Sequence, residues 1–314
     1  METINEKLKI ITPCFCAGAN QETAELRAPS IRGQLRWWFR VLGGTPEEEK
    51  ELFGGVHNGT AASKIVVRVK NVNSLYGSPN ELPQQNKCGY YLFHFTNASN
   101  KPRGVVYGPR YQNEAWFKPS TSFEVECRSK LPMTETEEKR FKMTWDAFTL
   151  LGSLGLRQTR GLGAFTQENP PSYSELKERL SMLSTHGIKF WRVINLGGKT
   201  LTTPNWLDSL TWLEAVLGWI RHNGFSAGRN GNNYTPLGTS TPRQASAIHL
   251  RPVRIKEQEG SFISLLFFTP QILGDSRQNN ELLQLLNSGR PIKTPYNPNP
   301  RQPDQRDEIM IRPF

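Results

Sequence analysis

The sequence is short of several things at once. Its 314 residues include four cysteines and five histidines. Cys14, Cys16, Cys88 and Cys127 contain no CxxC pair, and no histidine stands at metal-ligand spacing from any of them. Neither a metal site nor a cofactor is expected, and the thiols read as reduced. No stretch approaches the ~18 consecutive apolar residues of a membrane helix. The opening METINEKLKI also lacks the apolar core of a signal peptide. A cytoplasmic protein without membrane contact is the expectation. A P-loop is missing too: LGGKT at 196–200 ends like one, but its first glycine falls on Val193. Nucleotide hydrolysis by that route is excluded.

What the chain does have is positive charge. Lys plus Arg number 39 against 28 Asp plus Glu, a net charge of +11. Cations that neutralise phosphates release condensed counterions, so an excess of this size points to a polyanionic partner. A composition 36% hydrophobic and 10% aromatic is that of a globular chain with a real core. The length suits one large domain or two ordinary ones.

Periodicity supplies the elements. Residues 7–17 read as a strand. A helix follows from Ser30, its expected N-cap, with Ile31, Leu35, Trp38 and Leu42 on one buried stripe. Gly43 and Gly44 end it, and a short acidic helix EEEKELF comes next. Strands are expected over 64–71, 89–96 and 122–129, with a long Pro/Gly loop at 97–121. A helix over 135–151 presents Phe141, Trp145 and Phe148 on one face, and GAFTQ closes the half. Strand, helix, two strands, helix, strand is the ferredoxin-like plan, shared with the RRM. A linker helix YSELKERLSML, a strand IKFWRVINL, a helix over 205–224, two further strands, a short helix and EIMIRPF follow. The expected fold is α+β: a ferredoxin-like domain over 1–168 and a second, degenerate βαββαβ domain over 169–314.

Two constellations carry the functional reading. Arg32, Arg36 and Arg40 recur at i, i+4, i+8 on the first helix. Three such cations repel unless an anion lies across them, and the ridge opens at a helix N-terminus, where phosphate is favoured. Gly33, unusual inside a helix, implies a close approach to the backbone there. Trp38 reads as core, while Trp37 suits either core or a stacking platform. The second constellation is LGSLGLRQTRGLGAF, residues 151–165, with Arg157 and Arg160 among four glycines. Exposed N–H groups and arginines on such a loop can hold a phosphodiester. His57, in the polar loop FGGVHNG, is the best base for activating an RNA 2′-hydroxyl, yet no partner acid or nucleophile can be named for it.

TPCFCAGANQETAELRAPSIRGQLRWWFRVLGG followed by ELFGG resembles the opening of the first subunit of type III-B CRISPR Cmr complexes, within the RAMP superfamily. LGSLGLRQTRGLGAF resembles the glycine-rich loop of RAMP proteins, and STPRQASAIHLRPVR, residues 240–254, resembles a third block of the same subunit. The blocks stand in family order across most of the chain. The resemblance implies two ferredoxin-like domains in an assembly that carries guide RNA and binds complementary target RNA. The subunit would sit near the head end, among other Cmr-complex RAMP subunits. By motif it assigns RNA contact to Arg32, Arg36, Arg157, Arg160, Gly161 and Gly163, and, from the third block, to Arg243 and His249. Arg40 joins them from the ridge. The family often has two basic residues where this chain reads Arg243-Gln244. No catalytic residue is implied. The other function class consistent with these motifs is a RAMP-type endoribonuclease that cuts precursor guide RNA without metal.

Overall fold

The computed structural model describes residues 3–19, 23–56, 59–78, 81–82, 116–225, 236–240, 243–257, 261–269, 276–294 and 308–314, with backbone alone at 239–240, 243–244 and 276. The expected strand at 89–96 and most of the 97–121 loop lie outside the described residues. These divide into two compact units. The first comprises the described residues up to 81 with 116–158 and 162–170; the second comprises Leu82, Thr159–Gly161 and the described residues from 171 onward.

In the first unit, β1 (Ile4–Ile10) leads to α1 (Ala28–Val41) and α2 (Pro46–Phe53). Then come β2 (Ile65–Asn73), β3 (Tyr76–Gly77), β4 (Trp116–Phe117), β5 (Ser122–Ser129), α3 (Glu135–Leu151) and β6 (Phe165–Gln167). The main sheet has the order β2-β5-β1-β6, with every neighbouring pair antiparallel. Counting the four strands in chain order gives 2-3-1-4, the ferredoxin-like arrangement. The first strand ends earlier than the alternation suggests, because the chain turns at Thr12-Pro13. Cys14 forms only an isolated bridge with Phe117. The Cys14 and Cys16 sulfurs lie 3.5 Å apart in the core. The hydrogen bond between them, together with burial, pushes the Cys14 thiol well above its ordinary value.

The α1 start is corrected by the structure. Arg27 is the N-cap, without a side-chain cap, and Pro29 occupies the first turn, where its missing N–H is harmless. Ser30 is therefore inside the helix. By contrast α2 and α3 open on reciprocal capping boxes, Thr45 with Glu48 and Thr134 with Glu137. Ile31, Leu35, Trp38 and Leu42 are all buried. α1 and α3 pack on each other, α1 against β2 and α3 against β6. A run of rings fills this core: Phe53–Phe141 at 6.2 Å, Trp145–Phe148 at 5.8 Å and Phe148–Phe165 at 5.0 Å between centroids. Burying each such side chain contributes about 2–3 kcal/mol.

In the second unit, α4 (Tyr173–Ser184) precedes β7 (Lys189–Asn195), β8 (Thr202–Thr203) and α5 (Trp206–His222). β9 (Thr239–Ser240), β10 (Arg243–Gln244), β11 (Ile248–Arg254), β12 (Phe262–Phe268), α6 (Ser276–Asn287), β13 (Ile292–Lys293) and β14 (Glu308–Pro313) complete the chain. The large sheet runs β11-β12-β7-β14-β13, with β8 on β12. Taking β7, β11, β12 and β14 as the four core strands gives 2-3-1-4 again. The repeat is topological, around βαββαβ cores to which α4, β8 and β13 are additions. Ser209 on α5 meets Ser264 on β12 at 2.7 Å, and the Trp191 indole N–H donates to Asn287 Oδ1 on α6 at 2.9 Å. Both helices therefore cover the sheet face that carries Trp191, Ser264 and Leu266. Among the described residues no helix is long and apolar enough to cross a membrane.

Candidate nucleic-acid interface

The arginine ridge of α1 does meet an anion, and the anion is internal. Arg36 Nε donates to one carboxylate oxygen of Glu49 on α2, while Arg40 Nη1 lies 3.4 Å from the other. Arg32 donates to the Phe53 carbonyl. Burial first, and the neighbouring Arg36 charge second, lower the Arg32 guanidinium below its ordinary value. Glu49 is only 5% exposed, whereas Arg36 and Arg40 keep 38% and 54% of their side chains in solvent. A guanidinium has five N–H donors, so the exposed part of each head still faces outward with donors. Arg140 on α3 pairs with Glu48 and so ties α2 to the helix pair.

The opposite side of α1 faces the glycine-rich loop. Gln34 Nε2 donates to Gln158 Oε1 at 2.8 Å. Beside that contact lie the exposed Gly33 and the half-buried Trp37, which stands edge-on to Trp38 at 4.9 Å. Arg157, next to Gln158, is exposed and left-handed at φ +59°. A non-glycine residue held there costs on the order of 1 kcal/mol, a strain common at binding sites. At 100° per residue, Arg36 and Gln34 stand about 160° apart around the helix. Helix and loop thus come together as expected, but the ridge and Arg157 lie on different sides of α1. One continuous track through both is ruled out. At Gly33 a Cβ would meet nothing within 4 Å. No neighbour in the fold requires that glycine.

The buried half of the loop has packing reasons for its composition, which corrects four of the expected RNA contacts. Gly163, at φ +66°, would place a Cβ 1.7 Å from the Leu154 carbonyl oxygen, and its own N–H donates to the Pro13 carbonyl at 2.8 Å. Gly161, at φ +81°, would drive a Cβ to 2.6 Å from Leu210 Cδ2. Arg160 is buried, with Nη2 donating to the Leu237 carbonyl at 3.3 Å, and it bridges Leu250 in parallel as an added edge on β11. His249 is buried and stacked on Phe267, ring centroids 4.6 Å apart. Burial, with the Arg160 charge second, pushes its imidazole down to about 3. The glycines answer to sterics and Arg160 and His249 are sealed inside, so none of the four presents a surface to RNA. The Arg243 side chain and all of His57 lie outside the described residues.

With this geometry the comparisons with known proteins can be read. The family model for the RAMP superfamily matches residues 7–166, just over half of the chain. The chain belongs to the RAMP superfamily. Among curated RAMP-related proteins it is similar to CRISPR system Cmr subunit Cmr1-2 of Pyrococcus furiosus, 25% identical over 181 residues. That match covers 50% of this chain and 90% of the Pyrococcus protein. Subunit Cmr1-1 of the same organism is 29% identical over 157 residues, 46% of this chain and 41% of that one. In fold, this RAMP chain resembles apo Cmr1 from Pyrococcus furiosus with a TM-score of 0.56 at 19% identity, covering 85% of this chain and 88% of the other. A chain in the cryo-EM structure of type III-B Cmr-beta bound to cognate target RNA and AMPPnP gives a TM-score of 0.53 at 12% identity, covering 89% and 97%. The two ferredoxin-like strand orders are those of a RAMP fold.

Sequence reasoning missed the counter-ion. Glu49 falls on the buried side of EEEKELF with Leu52 and Phe53, and an acid at that position of an amphipathic helix was the available signal. It also missed Arg251, which is 1% exposed and pushed down to about 9 by burial. Nothing in HLRPVR distinguishes it from a surface strand arginine.

Proposed function

We propose that the chain is a non-catalytic RNA-binding subunit of a type III-B CRISPR effector, contacting guide or target RNA at the head end among other RAMP subunits. The observation that carries this reading is the Gln34–Gln158 contact, which places exposed, left-handed Arg157 on the Trp37 side of α1. An exposed guanidinium beside an indole is a pair suited to phosphate and base on a single strand. The exposed heads of Arg36 and Arg40 form a second, separate contact on the other side of the helix, oriented by Glu49. Arg32 serves that group from within, and Arg243 belongs to it by motif. The likeness to Cmr1 subunits, and to a chain seen with cognate target RNA, supports the assignment of partners. Cytoplasmic residence follows from such an assembly. The non-catalytic part rests on His249, whose sealed imidazole has neither access to solvent nor proton affinity near neutral pH.

The test is binding of single-stranded RNA by the full chain across a salt titration, with log K falling by about 0.7 per phosphate contacted. Arg157→Ala should weaken binding by about 1–2 kcal/mol with little change in melting temperature. A flat salt response, or normal binding by Arg157→Ala, sinks the assignment. Specific cutting of repeat RNA in EDTA would instead establish an endoribonuclease.

A further inference from the structure

The second unit contains a pocket of about 530 Å³ between α4, the start of β7, the end of α6 and the strand end at Pro313-Phe314. The size is that of a small-ligand site. Its walls divide by chemistry. Leu180, Phe190, Trp191 and Phe314 give apolar and aromatic surface, while Lys177 from α4 and Lys189 from β7 stand exposed at the rim. Asn287 is fixed in the lining because its amide oxygen accepts the Trp191 indole N–H, which leaves its NH₂ as a donor.

The lysines distinguish this pocket from the rest of the surface. Lys7, Lys64, Lys70 and Lys118 in the first unit each pair with a glutamate. Among the described residues neither Lys177 nor Lys189 has an ion-pair partner. A third cation stands close by: the Arg192 guanidinium lies 5.2 Å over the Phe314 ring and donates to the Pro313 carbonyl. Two ammonium groups without a carboxylate, above an aromatic floor with one fixed amide, lack an anion that carries a flat ring.

We propose that this pocket takes one nucleotide of a single RNA strand, the base against Phe190, Trp191 and Leu180 and the adjoining phosphates on Lys177 and Lys189. This rests on the reading of the chain as an RNA-binding protein and extends it to the second unit, which that reading did not use. A nucleotide matches both halves of the wall. An acidic protein segment would satisfy the lysines but leave the aromatic floor and the amide without a flat partner.

The experiment uses the full chain and a single-stranded RNA substituted with 4-thiouridine, cross-linked by long-wavelength light and mapped by mass spectrometry. Cross-links are expected in the peptide that carries Lys189, Phe190 and Trp191. Lys177→Glu combined with Lys189→Glu should remove them and weaken binding about tenfold, with an unchanged melting curve because both side chains are exposed. Arg157→Ala should weaken binding while leaving the position of the cross-link in place. If the wild-type chain binds RNA, cross-links only elsewhere, and the double variant binds normally, the pocket proposal is overturned and the proposed function stands. If the double variant binds RNA normally but no longer joins neighbouring subunits, the pocket is a protein interface and the proposal is likewise overturned. If the wild-type chain binds no RNA, the proposed function falls and this inference falls with it.

Discussion

The two large sheets share a strand order and differ in what they do with the face that their helices leave uncovered. In the first unit that face carries Lys7, Lys9, Arg68, Lys70, Glu124 and Glu126, in cross-strand rows such as Lys7–Glu124–Lys70. Most of these charges are matched: Lys70 and Arg68 with Glu126, Lys7 with Glu168, Asn71 with Glu124. No aromatic residue of β1, β2 or β5 points to it. In the second unit the equivalent rows are Phe190–Phe267–His249 and Arg192–Leu265–Arg251. There the aromatics exist, but Phe190, Phe267, His249, Leu265 and Arg251 are buried. An RRM stacks bases on aromatics of its open sheet face. One sheet here has the open face without the rings, and the other has the rings without the open face. Likeness of topology therefore does not carry over the mode of recognition. Contacts with a strand of RNA move to helix, loop and pocket.

Four measurements bear on that contrast, in decreasing order of effect. Phe267→Ala, which empties the centre of the second face between Phe190 and His249, should cost about 3–5 kcal/mol in denaturant unfolding. A cost under ~1 kcal/mol would mean that this face is not core. Next is acid. The His249 imidazole titrates near 3 in the folded chain and near 6.5 when unfolded, so the unfolded state binds its proton first. Stability should be full above pH 6.5 and fall by up to about 3 kcal/mol on reaching pH 4. His249→Gln should flatten that slope; a mutant as acid-sensitive as wild type would show that the histidine is not sealed. Third, Gly161→Ala puts a Cβ against Leu210 at a left-handed position and should lower stability by about 1–3 kcal/mol. An unchanged melting temperature would return Gly161 to the surface and to RNA. Smallest is Glu126→Gln on the first face. Its carboxyl is held below the usual range chiefly by the hydrogen bond from Lys70, yet the pair is open to water. The melting temperature should stay within about 2 °C of wild type, and a larger drop would contradict the picture of a solvated mosaic.

Much of the architecture was legible in the sequence. The apolar stripe of α1, the aromatic stripe of α3 and the alternation in β5 each repeat a local period, and each element formed on the residues that carry it. The first strand was overextended because Ile11 to Cys16 remain apolar after the chain has turned at Thr12-Pro13; they are buried without being in a ladder. The helix start was misplaced because Arg27 caps without a side chain, so the familiar serine signal pointed three residues too far. For the site, pattern identified the basic helix and the glycine loop, and packing then divided the residues. Arg157 and Arg160 are three apart in one loop, yet one is exposed and the other buried against Leu237 and Leu250.

The sequence by itself determined the positive excess, the elements, the RAMP blocks and the residues from which an RNA contact can be built. These depend on composition and on periods of two or 3.6 residues, which are local. Only the tertiary structure decided that Glu49 bridges Arg36 and Arg40, that Gly161 and Gly163 answer to sterics, and that Lys177 and Lys189 share a pocket. Each of those facts joins residues by way of a fold, and whether a charge is exposed, paired or sealed depends on which neighbour the fold brings to it.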